Sequence, residues 1–95
     1  RDSASGEVAV KTGDYVGFKG SDILSDSEDI FKATIEMCRK MNVSAHDIVI
    51  TAYGAGQTEE DAKALCAALS KEFPRTEFAP VFGGQPVYDY ILIFE

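Results

Sequence analysis

The sequence predicts an α/β domain, a mixed sheet of about five to six strands with two helices, a central β-α-β unit and a C-terminal β-hairpin. Two segments repeat apolar residues at helical spacing, whereas the others alternate apolar and polar residues or form short β-branched runs bounded by turn residues. Strand and helix segments alternate in the middle of the chain, which is typical of parallel strands joined by helices. The 95 residues suffice for one such domain.

The first quarter of the chain predicts short strands joined by tight turns, because apolar and polar residues alternate between glycine-containing breaks. The expected strands are residues 7–11, 15–19 and 23–24. The turns between them are residues 12–14 and 20–22. Residues 1–6 are polar and lack an initiator methionine, so we expect a tail followed by a single domain over residues 7–95, cut from the C-terminal part of a larger protein.

A first helix is expected over residues 27–41. Its apolar positions keep the spacing of one helix face, at Ile30, Phe31, Thr34, Ile35, Met37, Cys38 and Met41. Either Ser25 or Asp26 can cap its start. The segment therefore predicts a helix with one buried stripe.

A strand and a second helix follow. Residues 47–53 are a short β-branched run, typical of a central strand covered on both faces. Thr58 and Asp61 have the spacing of a capping box, and Pro74 ends the helix that this box begins. One side of this helix is lined by Ala62, Leu65, Cys66, Leu69 and Phe73. The last two expected strands are residues 76–82 and 87–94.

The end of the chain predicts a hairpin. Gly83 and Gly84 supply the freedom for positive φ that a sharp reversal needs, and Pro86 fixes the exit. We therefore expect the last strand to pair antiparallel with the strand before it. Residues 48–50 and 91–94 are apolar on successive positions, hence on both faces of the sheet. Either the helices cover opposite faces, or one face packs against protein outside this chain.

Charge and cysteine content narrow the class of protein. The chain carries nine basic and sixteen acidic residues, a net charge of −7, which disfavours nucleic acid and anionic membranes as partners. It contains no apolar run long enough to span a membrane. Cys38 and Cys66 both fall on the apolar helix stripes, so we interpret them as reduced core residues of a cytoplasmic protein.

The sequence offers no catalytic residues and no metal site. His46 is the single histidine and lies in a polar turn, and none of the common nucleophile, P-loop or metal motifs occurs. A weaker signal is a strand-to-helix turn whose amides and helix dipole could hold an anion, at Gly54, Ala55, Gly56 and Thr58. Acidic residues in the following helical turn oppose an anion there.

The better candidate is a recognition edge for a protein partner. Tyr88 and Tyr90 share one face of the expected last strand by its period of two, and tyrosine is enriched at interfaces. The full candidate set is Tyr53, Gly83, Gly84, Gln85, Pro86, Tyr88 and Tyr90. The alternatives that stay open are the anion site and a self-association domain.

Three segments carry a family resemblance. They are the glycine-bearing tail at residues 81–95, the Tyr53-Gly54 turn leading into residues 58–62, and the opening residues 10–17. In these segments the chain resembles the extreme C-terminal domain of the bacterial DAK-domain (dihydroxyacetone-kinase-like) fatty acid kinases. The resemblance covers nearly everything after about Glu7.

The resemblance implies a parent enzyme of several domains that phosphorylates fatty acids carried by a separate DegV-like binding protein. It also implies that ATP and magnesium are bound by an upstream domain whose motifs do not map onto this chain. What remains for this domain is interaction, with the DegV-like protein, with other domains of the parent kinase, or with a second copy as a homodimer.

Overall fold

The described part of this computed structural model, residues 4–11, 14–19 and 22–95, is an α/β domain built on one sheet. Its strands are β1 (Ala4–Lys11), β2 (Asp14–Lys19), β3 (Asp22–Ser27), β4 (Ile48–Tyr53), β5 (Glu77–Phe82) and β6 (Tyr90–Phe94). Its helices are α1 (Ile30–Lys40) and α2 (Glu59–Glu72), and a single 3-10 turn forms at Val43–Ala45. Neither helix of these residues has the length and apolar content needed to cross a bilayer.

The six strands lie in the order β3-β2-β1-β6-β4-β5. β4 and β5 are parallel neighbours joined by α2, so the predicted β-α-β unit is confirmed. The other neighbouring pairs are antiparallel. The chain runs from β3 through α1 to β4 across three intervening strands, β2, β1 and β6.

The expected C-terminal hairpin does not form. β6 pairs antiparallel with β1 on one side and with β4 on the other, so both of its edges are occupied and it does not pair with β5. The segment 83–89 is instead a crossing loop that leaves the edge strand, passes the end of β4 and enters the sheet on its far side. The physical reason is the apolar β6 run, which is stabilised best in the interior of the sheet.

Several boundaries differ from expectation at the start of the chain. β1 begins at Ala4, which lies opposite Phe94, so residues 4–6 belong to the sheet and not to a tail. β6 begins at Tyr90 and not at residue 87. Residues 1–3 of the expected tail, and residues 12–13 and 20–21 of the expected turns, lie outside the described residues.

The start of α1 also corrects the sequence interpretation. Asp29 is the N-cap, and its carboxylate accepts a hydrogen bond of 2.9 Å from the Phe31 amide. Ser25, an expected cap, lies in β3 instead, where its hydroxyl donates to the Ala33 carbonyl at 2.6 Å. The third strand therefore extends further than expected and its polar residues belong to the sheet edge.

The start of α2 confirms the capping box. The Asp61 amide donates to the Thr58 hydroxyl at 3.0 Å, and the Thr58 amide donates to the Asp61 carboxylate at 3.4 Å. These bonds satisfy amides that have no partner within the helix. The expected apolar side of α2 is buried against the sheet, and the helix ends at Glu72 before Pro74.

Replacing Thr58 by alanine should lower the free energy of unfolding by about 1 kcal/mol, because a helix N-cap loses its acceptor. Urea denaturation of the wild-type and T58A chains measures the difference. A matched change in the same helical turn, Glu60→Ala, removes an exposed side chain with no capping role and should alter stability by less than about 0.5 kcal/mol. Equal stability of T58A and wild type would contradict this role.

Both helices pack on the same face of the sheet, so the expectation of opposite faces is wrong. Arg39 of α1 forms an ion pair with Glu72 of α2, and its guanidinium lies 5.7 Å from the ring centre of Phe73. The core between helices and sheet includes Val8, Met37, Cys38, Val49, Leu65, Leu69, Tyr90, Leu92 and Phe94. β4 is therefore covered by helices on one face only.

Candidate partner-binding site

The loop at residues 83–89, called here the docking loop, is fixed to the end of β4. The amides of Gly83 and Gly84 both donate to the Tyr53 carbonyl, at 2.9 and 3.1 Å. Gly84 has a φ of 70°, in the left-handed region that disfavours side chains. The glycine pair thus allows the chain to turn sharply around β4, although no hairpin results.

The docking loop and the β4–α2 turn at residues 54–58 form one unit. The Gly54 amide donates to the Asp89 carbonyl at 2.8 Å, and the Ala55 amide donates to the Gln85 carbonyl at 3.0 Å. The Gln85 side chain donates in turn to the Ala52 carbonyl at 3.0 Å. The two segments that the sequence singled out separately therefore lie side by side at one end of the sheet.

Gln57 bridges the two segments with its side chain. Its amide nitrogen donates to Asp89 Oδ1 at 3.1 Å, and its amide oxygen accepts from the Tyr90 hydroxyl at 3.3 Å. Sequence reasoning missed Gln57, because its partners are more than thirty positions away along the chain. The bridge holds the last part of the docking loop against the start of α2.

The predicted recognition residues occupy different environments. Gly83 and Pro86 are exposed, whereas Tyr53, Gly84, Gln85 and Tyr88 are half-buried. Tyr90 is only 2% exposed and belongs to the core, so the expectation that it shares an exposed strand face with Tyr88 is wrong. Tyr88 lies in the loop before β6, where the strand period does not apply. Tyr90 supports the docking loop from inside.

The most exposed apolar side chains of this region were not among the predicted site residues. Val81, Phe82 and Val87, called here the docking patch, are 46%, 67% and 71% exposed. The Phe82 ring lies edge-on to the Tyr53 ring with 5.5 Å between centroids. The available signal was the large apolar residues flanking the glycine turn, which a hairpin would have buried.

The turn amides proposed as an anion site already have partners. The amides of Gly54 and Ala55 donate to loop carbonyls, and the Gln57 amide donates to the Gly54 carbonyl at 3.0 Å. The Thr58 amide faces the Asp61 carboxylate within the capping box. An anion would have to displace these bonds, which weighs against this alternative. It stays a prediction that amide NMR during a phosphate titration can test.

Acidic side chains border the site. Glu59, Glu60 and Asp61 form the exposed first turn of α2, directly after the turn that holds the docking loop. Glu59 is paired with Lys63 at 3.3 Å, and both side chains are exposed, so this pair contributes little to stability. The border of the docking patch is thus negatively charged on its α2 side.

The remaining polar candidates have structural roles. His46 is half-buried and its ring packs edge-on against Phe94, 5.5 Å between centroids. Cys38 and Cys66 are free and buried, and burial raises the pKa of both thiols. Within residues 4–11, 14–19 and 22–95, no three His, Cys, Asp or Glu side chains gather in a way that could hold a metal ion.

Burial of the Tyr90 hydroxyl raises its pKa to about 12, and the negative charges of Asp61 and Asp89 contribute to the rise. Because the usual tyrosine value is 10.0, the folded protein retains this proton at a pH where the unfolded chain releases it. Raising the pH from 10 towards 12 therefore favours unfolding. Below pH 10 the contribution is fully present.

Thermal melts of wild type and Tyr90→Phe between pH 8 and 11.5 test this linkage, where the pH limits are chosen around the roughly 10 expected for a free tyrosine. The phenylalanine variant loses the bond to Gln57 but has no proton to release, so its melting temperature should fall less steeply above pH 10. The buried Cys38 thiol, with a pKa of about 12, contributes the same slope to both chains. Parallel curves would contradict the prediction.

Comparison with known proteins identifies the family. All 95 residues match the model of the FakA-like C-terminal family, whose description is that of a fatty acid kinase component. The chain belongs to this family. It is 31% identical over 86 residues to Protein YloV of Bacillus subtilis (strain 168), covering 90% of this chain and 16% of that protein. It is 25% identical over 95 residues to Uncharacterized protein SH1689 of Staphylococcus haemolyticus (strain JCSC1435), covering 100% of this chain and 17% of that protein.

The FakA-like C-terminal chain thus spans about a sixth of the length of these curated relatives. The matched region includes the docking loop, the β4–α2 turn and the docking patch. Family membership therefore supports one part of a fatty acid kinase, a system with several components.

Proposed function

We propose that this chain is a non-catalytic docking domain of a fatty acid kinase and that it binds a DegV-like fatty-acid-binding protein. The observation that carries the proposal is the docking patch, since Val81, Phe82 and Val87 expose large apolar side chains within a few residues of each other. Exposed apolar clusters on a charged surface are typical of protein interfaces. Family membership supports the choice of partner.

The rigidity of the docking loop favours binding. Its backbone is held by the Tyr53 carbonyl and by the amides of Gly54 and Ala55, so little conformational entropy remains to be lost when a partner binds. Phe82 is an aromatic side chain braced by Tyr53, the kind of rigid anchor that dominates interface energies. Preorganised aromatic anchors bind with a smaller entropic penalty than mobile ones.

The charge of the border specifies the partner surface. The patch is flanked by Glu59, Glu60 and Asp61, and the chain as a whole carries a net charge of −7. We therefore expect the DegV-like protein to present an apolar depression with basic residues on its border. Opposite charges at the border speed association more than they increase affinity, and salt screens them.

In this proposal the parent protein forms acyl phosphates from ATP in the cytoplasm. Its ATP and magnesium are bound by other domains, because this chain offers them no recognised motif. This domain brings the acyl-carrying protein to the kinase. It contributes no group to the reaction itself.

Calorimetric titration of the acyl-loaded DegV-like protein into the 95-residue domain tests the proposal. The domain has its own core, so it is suited to study alone. We expect a saturable complex whose affinity decreases as salt is raised. A flat titration with no complex in size-exclusion chromatography, at concentrations on the order of tens of micromolar, would refute the docking function.

A further inference from the structure

The face of the sheet opposite the helices is apolar over three neighbouring strands, β6, β4 and β5. Because side chains alternate across a strand, the residues between the buried positions of these strands point away from α1 and α2. They are Ile48, Ile50, Ala52, Ala79, Val81, Ile91 and Ile93, called here the open face. All are half-buried except Val81, which is exposed.

The strand register makes the open face continuous. Ile50 lies opposite Ile93 on one side and Ala79 on the other, and Ala52 lies likewise between Ile91 and Val81. Both helices pack on the other side of the sheet, and no element of the described residues covers this one. A sheet with one side in contact with water normally carries polar residues on that side. The composition of this face is that of an interface.

We propose that the open face packs against another domain of the same, longer polypeptide. The face measures roughly 250–300 Å², from strand spacings of about 4.8 Å and a rise of about 3.3 Å per residue. Stable association of free proteins buries about 800 Å² on each partner. An area this small suits a partner that is covalently tethered, because a short linker supplies an effective concentration on the order of millimolar.

Charge also argues against a second copy as the occupant. Two chains that each carry a net charge of −7 repel one another. The curated relatives are about six times longer than this chain, so they contain further polypeptide that could cover such a face. The exposed Glu77 lies beside Ile48 at one end of the face. The covering domain should therefore present an aliphatic surface with a basic side chain opposite Glu77.

Cysteine labelling tests this inference, which is independent of the proposed docking function. Cys38 and Cys66 are buried, so a thiol introduced by Ile93→Cys on the open face is the accessible one in the isolated domain. Ile23→Cys is the matched control, because Ile23 is 62% exposed and lies on the opposite edge strand. The labelled peptide is identified by mass spectrometry, so cysteines elsewhere in a longer protein do not interfere.

We expect I93C to react with maleimide about tenfold more slowly in the full-length protein than in the isolated domain. I23C should react equally fast in both. Equal rates for I93C would overturn the inference. So would slowing of the isolated domain with its own concentration, which indicates a homodimer, or slowing of the full-length protein only after the fatty-acid-binding protein is added, which assigns the face to that partner. Thermal melts confirm beforehand that both variants fold.

Discussion

Replacing Gly54 by alanine is expected to lower the free energy of unfolding by about 3 kcal/mol, as overpacking against a rigid neighbour does. A Cβ at this position would clash with the Tyr88 carbonyl oxygen and lie 2.9 Å from the Gln85 carbonyl oxygen. Both are backbone atoms and cannot rotate away. The docking loop would have to move, and its bonds to the amides of Gly54 and Ala55 would break.

Gly56 provides the matched control within the same turn. A Cβ there meets nothing within 4 Å, so Gly56→Ala should change stability by less than about 0.5 kcal/mol. Urea denaturation of both variants measures the contrast, and the G54A variant should also lose partner binding. Similar stabilities for G54A and G56A would mean that the docking loop is not held against this turn.

Phe82→Ala should weaken binding of the DegV-like protein about thirtyfold, the equivalent of about 2 kcal/mol for an aromatic interface anchor. The fold should be preserved, because the Phe82 side chain is 67% exposed and makes its main ring contact with Tyr53. Calorimetry gives the affinity and a thermal melt gives the stability. The variant therefore separates recognition from folding, which a core substitution cannot do.

Ile23→Ala is the control for this variant. Ile23 is exposed to a similar degree, 62%, but lies on the strand at the other edge of the sheet. Its removal should leave the affinity within about twofold of wild type. If F82A bound as tightly as wild type while I23A bound weakly, the interface would lie on the β3 edge and the docking patch would have no role.

The elements determined by local interactions could be predicted from the sequence. The capping box of Thr58 and Asp61, the apolar side of α2 and the parallel pairing of β4 with β5 are all present. Each depends on residues a few positions apart or on a single helical connection. The start of α1 was less certain because several polar residues precede it, and Asp29 is the one whose carboxylate meets the amide.

The position of β6 depends on contacts far apart in the sequence. Gly83 and Gly84 between two apolar runs are typical of a hairpin, but their amides bond to Tyr53 and not across a β5–β6 pair. The successive apolar residues of β6 did indicate a strand with neighbours on both sides. Preferring that signal over the turn signal would have placed β6 inside the sheet.

The region of the candidate site was found from the sequence, whereas its chemistry was not. Tyrosine and glycine content indicated the segment 83–90, yet Tyr90 is buried and the exposed side chains are Phe82 and Val87. Exposure of a residue next to a turn depends on whether the turn closes a hairpin or crosses another strand. The role of Gln57 likewise requires that two distant segments lie together.

An NMR titration tests the central claim most directly. The domain, labelled on its amides and on the methyl groups of valine and isoleucine, is titrated with the unlabelled acyl-loaded DegV-like protein. Docking through the patch predicts that the signals of Val81, Phe82 and Val87 shift or broaden first, while those of Ile23 stay unchanged. A complex that forms while the signals of the docking patch remain still would contradict the account.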